Sequence, residues 1–159
     1  MTVKQPDIFR DTYIRYLGYT NEIGESFKAF LPRWAYLGTY AVACTYVAAD
    51  AFDKGAVAYK ISDDPNKHAR AAVAVVDTGL WQSFASVIIP GVFINRLCAA
   101  SMFTVTRLAP KLKGSTHKWI TTAVGLLSIP MIIQPIDHLV EESMNNLVRP
   151  RFVNMLRVR

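Results

Sequence analysis

Hydrophobic and polar positions divide the chain into three long apolar windows separated by charged stretches. Trp34–Ala49, Thr78–Asn95 and Trp119–Ile136 contain no Asp, Glu, Lys or Arg. A helix of about 18 residues, rising about 1.5 Å per residue, is about 27 Å long, close to the ~30 Å hydrocarbon core of a bilayer. A fourth apolar run, Leu97–Thr106, lies between Arg96 and Arg107 and is too short to span alone. The pattern predicts an all-α, multi-pass helical membrane protein with three or four membrane helices. These are placed at 33–53, 71–95 and 118–137, with a short or re-entrant helix over 97–109. Pro90-Gly91, Pro130 and Pro135 predict kinks or breaks in the second and third spans. The whole of 1–159 reads as a single helical domain.

The ends read differently. Residues 1–32 form an amphipathic N-terminal segment, predicted as a helical hairpin. Asp7 is suited to cap a first helix, Gly18 to break it, and Thr20 or Asn21 to cap a second that carries Ile23, Phe27 and Phe30 on one side. Residues 138–159 read as a basic C-terminal tail that begins as an amphipathic helix. Its arginines, Arg149, Arg151, Arg157 and Arg159, are candidates for binding anionic lipid or an acidic partner. Trp34 and Trp119 open their windows beside Arg33 and Lys118, as expected of aromatic anchors at a lipid headgroup layer, and are candidate lipid contacts. The charge gaps and the Trp positions together favour a membrane over a soluble helical bundle.

Polar residues inside the apolar runs are the candidate working groups. Thr78, Gln82 and Ser86 recur every fourth residue and share a helix face, as expected of a contact with other helices. Lining a pore is the sharper alternative for that face. Asp77 stands at the start of its window, where it is expected as an interfacial cap or a buried ion site. Asn95, Arg96 and Asp137 complete the set of helix-contact or partner candidates. Asp50 and Asp53 are expected at a polar helix end.

Composition changes this picture only in part. Apolar residues make up 52% of the 159 and charged residues 19%, with a net charge of +6. A basic balance suits nucleic acid or an anionic membrane surface such as cardiolipin. No Lys/Arg-rich run with interleaved aromatics is present, so nucleic acid is not expected. Arg96, Arg107, Lys111, Lys113 and Lys118 occur without an intervening acid, which predicts that this loop and the N-terminus share the positive side.

Catalytic and cofactor chemistry has no foothold. Cys44 and Cys98 each lie alone in apolar runs, and His68, His117 and His138 are isolated, so no metal cluster is expected from local spacing. There is no phosphate-cradling Gly loop, no Gly-x-Ser-x-Gly elbow and no dinucleotide fingerprint. No enzyme activity, cofactor or small-molecule substrate is expected. The first thirty residues lack the apolar core of a secretory signal and carry Asp7, Asp11, Glu22 and Glu25, which argues against a cleaved presequence.

Three blocks carry a family resemblance: Arg10–Phe27 with Arg-Tyr-Leu-Gly-Tyr, Ala74–Ser101 with Ile-Asn-Arg-x-Cys-Ala-Ala-Ser, and Lys118–His138 with Ile-x-Pro-Ile-Asp. Together with Tyr46–Gly55 they resemble the mitochondrial fission process protein 1 family. The resemblance is weakest over Ala56–His68 and after Glu142. It implies a multi-pass mitochondrial inner-membrane protein, imported without a cleaved presequence, that organises the membrane and supports mitochondrial fission without catalysis. Its partners would be other inner-membrane proteins. The alternative is a structural accessory subunit of a respiratory-chain or ATP-synthase complex. A small channel or proton-leak regulator using Asp77, Gln82 and Asp137 is a third reading.

Overall fold

A computed structural model describes residues 7–9, 12–61 and 65–157, and every element among them is helical. A 3₁₀ helix, Tyr13–Tyr19, runs directly into the short helix α1, Thr20–Ser26. Helix α2 covers Arg33–Ile61. Helix α3, Lys67–Gln82, continues through a π-helical turn, Ser83–Ile88, into α4, Ile89–Leu108. Helix α5, Gly114–Ser143, continues through a second π turn, Met144–Val148, into α6, Arg149–Arg157.

The two composite helices, Lys67–Leu108 and Gly114–Leu156, are 42 and 43 residues long and apolar enough to cross a membrane. At about 1.5 Å per residue each is more than 60 Å long, about twice the hydrocarbon thickness. Helix α2, which carries the first apolar window, is not among the helices that meet both tests. Two such helices are therefore found among the described residues where three or four were expected.

The short or re-entrant helix expected over 97–109 is not a separate element. Residues 97–108 are the latter part of α4, which runs without interruption through Pro90 and Arg96. The reason lies just before the proline. In the π turn the Ile89 N–H bonds back five residues to the Phe84 carbonyl, and Pro90, which has no N–H, follows at once. The same arrangement recurs in the other rod, where the Arg149 N–H reaches the Met144 carbonyl immediately before Pro150. Pro130 and Pro135 lie inside α5, and the helix runs on past both. The expected breaks are thus absent, and the basic tail continues as helix to Arg157.

The rods pack side by side, with α4 against the first part of α5 and α3 against α6. Helix α2 lies along α3, and α1 is wedged among α2, α4 and α5. His117 closes the turn between the rods, its Nε2 lying 3.0 Å from the Ala109 carbonyl oxygen. The N-terminal segment departs from the expected hairpin. Thr12, not Asp7, caps the 3₁₀ helix, and Tyr19 stands at the cap of α1 without a side-chain bond. Thr20 Oγ1 instead donates to the Thr39 carbonyl, and Asn21 Nδ2 to that of Val87.

Burial departs from that of a water-soluble bundle, although two apolar clusters are also buried. The buried face of α1 is Asn21, Glu22, Gly24, Glu25 and Ser26, while Ile23 and Phe30 are exposed. In the most apolar stretches of the two rods only 17% and 28% of residues are buried. Leu127, Met131, Phe103, Val92 and Phe93 all face outward. A core helix of a soluble protein would hide such residues, because removing apolar surface from water drives folding there.

Candidate functional site

The interior is built around polar side chains that link helices, in three clusters. The first surrounds Glu25 where α1, α2 and α4 meet. The Tyr36 and Tyr40 hydroxyls donate to Glu25 Oε1, the latter at 2.6 Å, and Asn95 Nδ2 donates to Oε2 at 2.7 Å. Lys28 Nζ adds a longer contact of 3.4 Å. Burial alone would push the Glu25 carboxyl up, but the bonds from Tyr36, Tyr40 and Asn95 outweigh it and hold it below its usual range. An ionised carboxylate at this junction therefore ties three helices together. Beside it Thr122 Oγ1 donates to the Ser26 carbonyl at 2.8 Å, bringing in α5.

The second cluster centres on Asp50, which is completely buried. Gln82 Nε2 donates to Asp50 Oδ2 at 2.5 Å, and Ser86 Oγ donates to Gln82 Oε1 at 2.8 Å. Lys54 pairs with Asp50 at 3.2 Å and with Asp7 at 2.8 Å. Asp50 is not at a polar helix end, as its sequence position suggested; it is mid-way along α2 and faces α3. Helical geometry explains the error. Asp53, about 60° round the helix from Asp50, is 40% exposed, whereas Asp50 is turned fully into the contact with α3.

The third cluster is a clamp at the far end. The Arg149 guanidinium donates to both Asp77 oxygens, at 3.0 and 3.2 Å, and also to Glu141 and Asn145. A bidentate Arg–carboxylate pair is directional as well as strong. It fixes α6 against α3 over the apolar cluster of Trp81, Ala85, Ile136, Val140 and Met144. Arg149, expected to reach lipid or a partner, is committed to this internal clamp.

The helix-contact candidates therefore go to different places. Thr78, Gln82 and Ser86 are buried on one face of α3 and the π turn. Asn95 joins the Glu25 cluster, Asp77 the clamp, and Asp137 an ion pair with Arg15 at 2.6 Å. Arg96 is exposed on α4, outside all three clusters. Trp34 and Trp119 are 78% and 56% exposed, whereas Trp81 is buried. Arg151 is exposed; Arg159 and the side chain of Arg157 lie outside the described residues. Among the described residues no group of three or more His, Cys, Asp or Glu could hold a metal ion.

Glu22, Glu25, Tyr36 and Tyr40 were not among the candidates drawn from the sequence, which put Ile23, Phe27 and Phe30 on one side of the second N-terminal helix without fixing which side faces in. The usable signal was the polar face Asn21, Glu22, Glu25 and Ser26, spaced as helix neighbours.

Comparison with known proteins places this architecture among relatives. The profile of the family described as Mitochondrial 18 KDa protein matches residues 8–74 and 58–144. A Homo sapiens protein named Mitochondrial fission process protein 1 is 49% identical over 144 residues, which is 90% of this chain and 86% of that protein. Danio rerio and Caenorhabditis elegans proteins of the same name are 48% and 46% identical, over 92% and 90% of this chain and 88% and 87% of their own lengths. No solved structure matches the chain. The profile takes in all of 56–68, where the resemblance was expected to be weak, and it ends at residue 144, close to Glu142.

Proposed function

This chain belongs to the Mitochondrial 18 KDa protein family, and on that premise we propose that it is a non-enzymatic, multi-pass protein of the mitochondrial inner membrane that supports mitochondrial fission. The observation that carries the membrane part is that Leu127, Met131, Phe103, Val92 and Phe93 face outward on rods long enough to span, while carboxylates and amides lie buried between helices. In lipid, apolar side chains gain nothing by leaving the bilayer, so helices associate through close packing and interhelical hydrogen bonds. The Glu25, Asp50 and Arg149 clusters supply those bonds. The outer surface is left for lipid and for neighbouring inner-membrane proteins, with exposed Trp34 and Trp119 at the headgroup layer and exposed Arg151 toward anionic lipid such as cardiolipin.

Two measurements test the reading. Carbonate washing of mitochondria should leave the chain in the membrane pellet; release into the supernatant overturns the membrane assignment. Depleting the chain should lengthen the mitochondrial network, and restoring it should return the network to its original length. An unaltered network removes the fission role. Native electrophoresis after mild solubilisation distinguishes the alternative, since comigration with a respiratory or ATP-synthase complex would make the chain an accessory subunit.

A further inference from the structure

Glu22 is the one carboxylate of α1 that no cluster uses. Its side chain is fully buried, and neither oxygen has a hydrogen-bond partner beyond its own backbone among the described residues. Asn21 Oδ1, next to it, is also buried without a partner. An ionised carboxylate in that state is costly, because burial removes water and nothing replaces it.

The groups around Glu22 do not relieve the cost. From α5 the nearby charge is Asp137, which is also negative and is paired with Arg15 of the 3₁₀ helix. Arg15 Nε donates to the Tyr19 hydroxyl at 2.7 Å. The α2 and α4 groups that bond to α1, Tyr36, Tyr40 and Asn95, all reach Glu25 instead. Among the described residues no cation bonds to either Glu22 oxygen.

We propose that Glu22 is a proton-operated latch: the neutral acid lets α1 close against α5, and loss of its proton opens that contact while the Glu25 joint to α2 and α4 stays made. Burial, reinforced by the charge of Asp137, pushes the Glu22 carboxyl up to about 8 in the docked protein, against an ordinary value of 4.5. The released form ionises near the ordinary value. Docking is therefore strongest in acid. Release becomes more favourable by up to about tenfold per pH unit between the two values and levels off above the higher one.

Cys98 reports the release. It is buried at the α1–α5 contact, where Ser26 and Cys98 both pack against Gly125. The full chain carrying Cys44→Ser, in lipid nanodiscs, is alkylated with a maleimide at a series of pH values, with and without Glu22→Gln. Dividing the two rates cancels the ordinary ionisation of the thiol. The rate with Glu22 intact, divided by the rate with Glu22→Gln, is expected to climb several-fold per pH unit through the neutral range and flatten near pH 8. A ratio that does not vary with pH overturns the latch. The infrared carbonyl band of a protonated carboxylic acid gives a check in the Cys44→Ser protein alone, should the Glu22→Gln chain not fold. The band is expected in the docked protein at neutral pH, and its absence there overturns the proposal.

Discussion

Two junctions meet on the seven residues of α1, and they treat a carboxylate in opposite ways. Toward α2 and α4, Glu25 receives two phenol hydroxyls and an amide and stays ionised. Toward α5, Glu22 is buried one turn earlier beside another acid and is held neutral. Both side chains are almost fully excluded from solvent, Glu22 the more deeply. What separates them further is the number of donors aimed at the oxygens. The first junction is a fixed joint, because separating it strands three donors. The second is a conditional one, because its stability depends on a proton.

Removing the carboxylate of the fixed joint should have the largest effect. Glu25→Ala strands Tyr36, Tyr40 and Asn95 around a void and should cost roughly 3–5 kcal/mol, as breaking buried charged networks does. Thermal unfolding in detergent should show the loss as a drop in Tm. A change below about 1 kcal/mol would mean that the three donors find water instead. The pH dependence also has a definite sign. The Glu25 carboxyl is depressed in the folded state, so its contribution is present above its ordinary value of 4.5 and is lost as pH falls through the lower folded value.

Removing the charge at the other junction should have the opposite sign. Glu22 is raised on folding, so the native chain loses stability as pH rises from 4.5 to about 8 and no further above that. Glu22→Gln removes the titration. Its Tm should exceed that of the unaltered chain increasingly from about pH 6 to about pH 8, by a stability difference of about 1–3 kcal/mol across that range. Parallel Tm profiles for the two proteins would show that both junctions hold ionised carboxylates and would erase the contrast.

Close approach sharpens the comparison without touching a charge. A Cβ on Gly125 would lie 2.6 Å from Ser26 Oγ and 2.8 Å from Cys98 Sγ, so Gly125→Val should push α1 off α5 while leaving the Glu25 cluster on the α2 and α4 side. Overpacking of this kind costs about 1–3 kcal/mol. Cys98 alkylation should accelerate at all pH values, unlike the pH-dependent opening assigned to Glu22. An unaltered rate would show that the α1–α5 contact is looser than its geometry implies.

How much of this was legible in the sequence follows from the same contrast. Length, charge gaps and apolar runs were local properties, so the all-helical class and two of the apolar helices could be read, but not that each continues into a rod of more than forty residues. The face Thr78, Gln82 and Ser86 was visible because a four-residue repeat is a property of one helix. The partners of that face were not, because Gln82 meets Asp50 across thirty-two positions. At Pro90 the sequence predicts a kink or a break; the helix is unbroken there because a π turn precedes the proline, and no residue type marks such a turn by itself. The direction of α1 was not legible, because an amphipathic pattern does not say whether its apolar side meets protein or lipid; Ile23 and Phe30 face outward. The donors around Glu25 come from two other helices, so no spacing within one segment could distinguish it from Glu22.

The smallest effect should come from Arg15, and its direction tests the conditional joint most closely. The Arg15–Asp137 pair is partly exposed, with side chains 32% and 24% accessible, and such pairs contribute up to about 1 kcal/mol. Arg15→Gln should therefore lower Tm only slightly. It also removes the positive charge that offsets Asp137, whose negative charge already raises the Glu22 carboxyl. With Asp137 uncompensated, Glu22 should hold its proton to still higher pH, and the point where Cys98 reactivity levels off should move upward. A downward move would mean that water admitted by loss of the pair stabilises the Glu22 carboxylate more than the uncompensated Asp137 opposes it. The fixed joint offers the control. Glu25 is tied to the Tyr36, Tyr40 and Asn95 donors rather than to Arg15, so the acid limb of the stability profile should stay where it was.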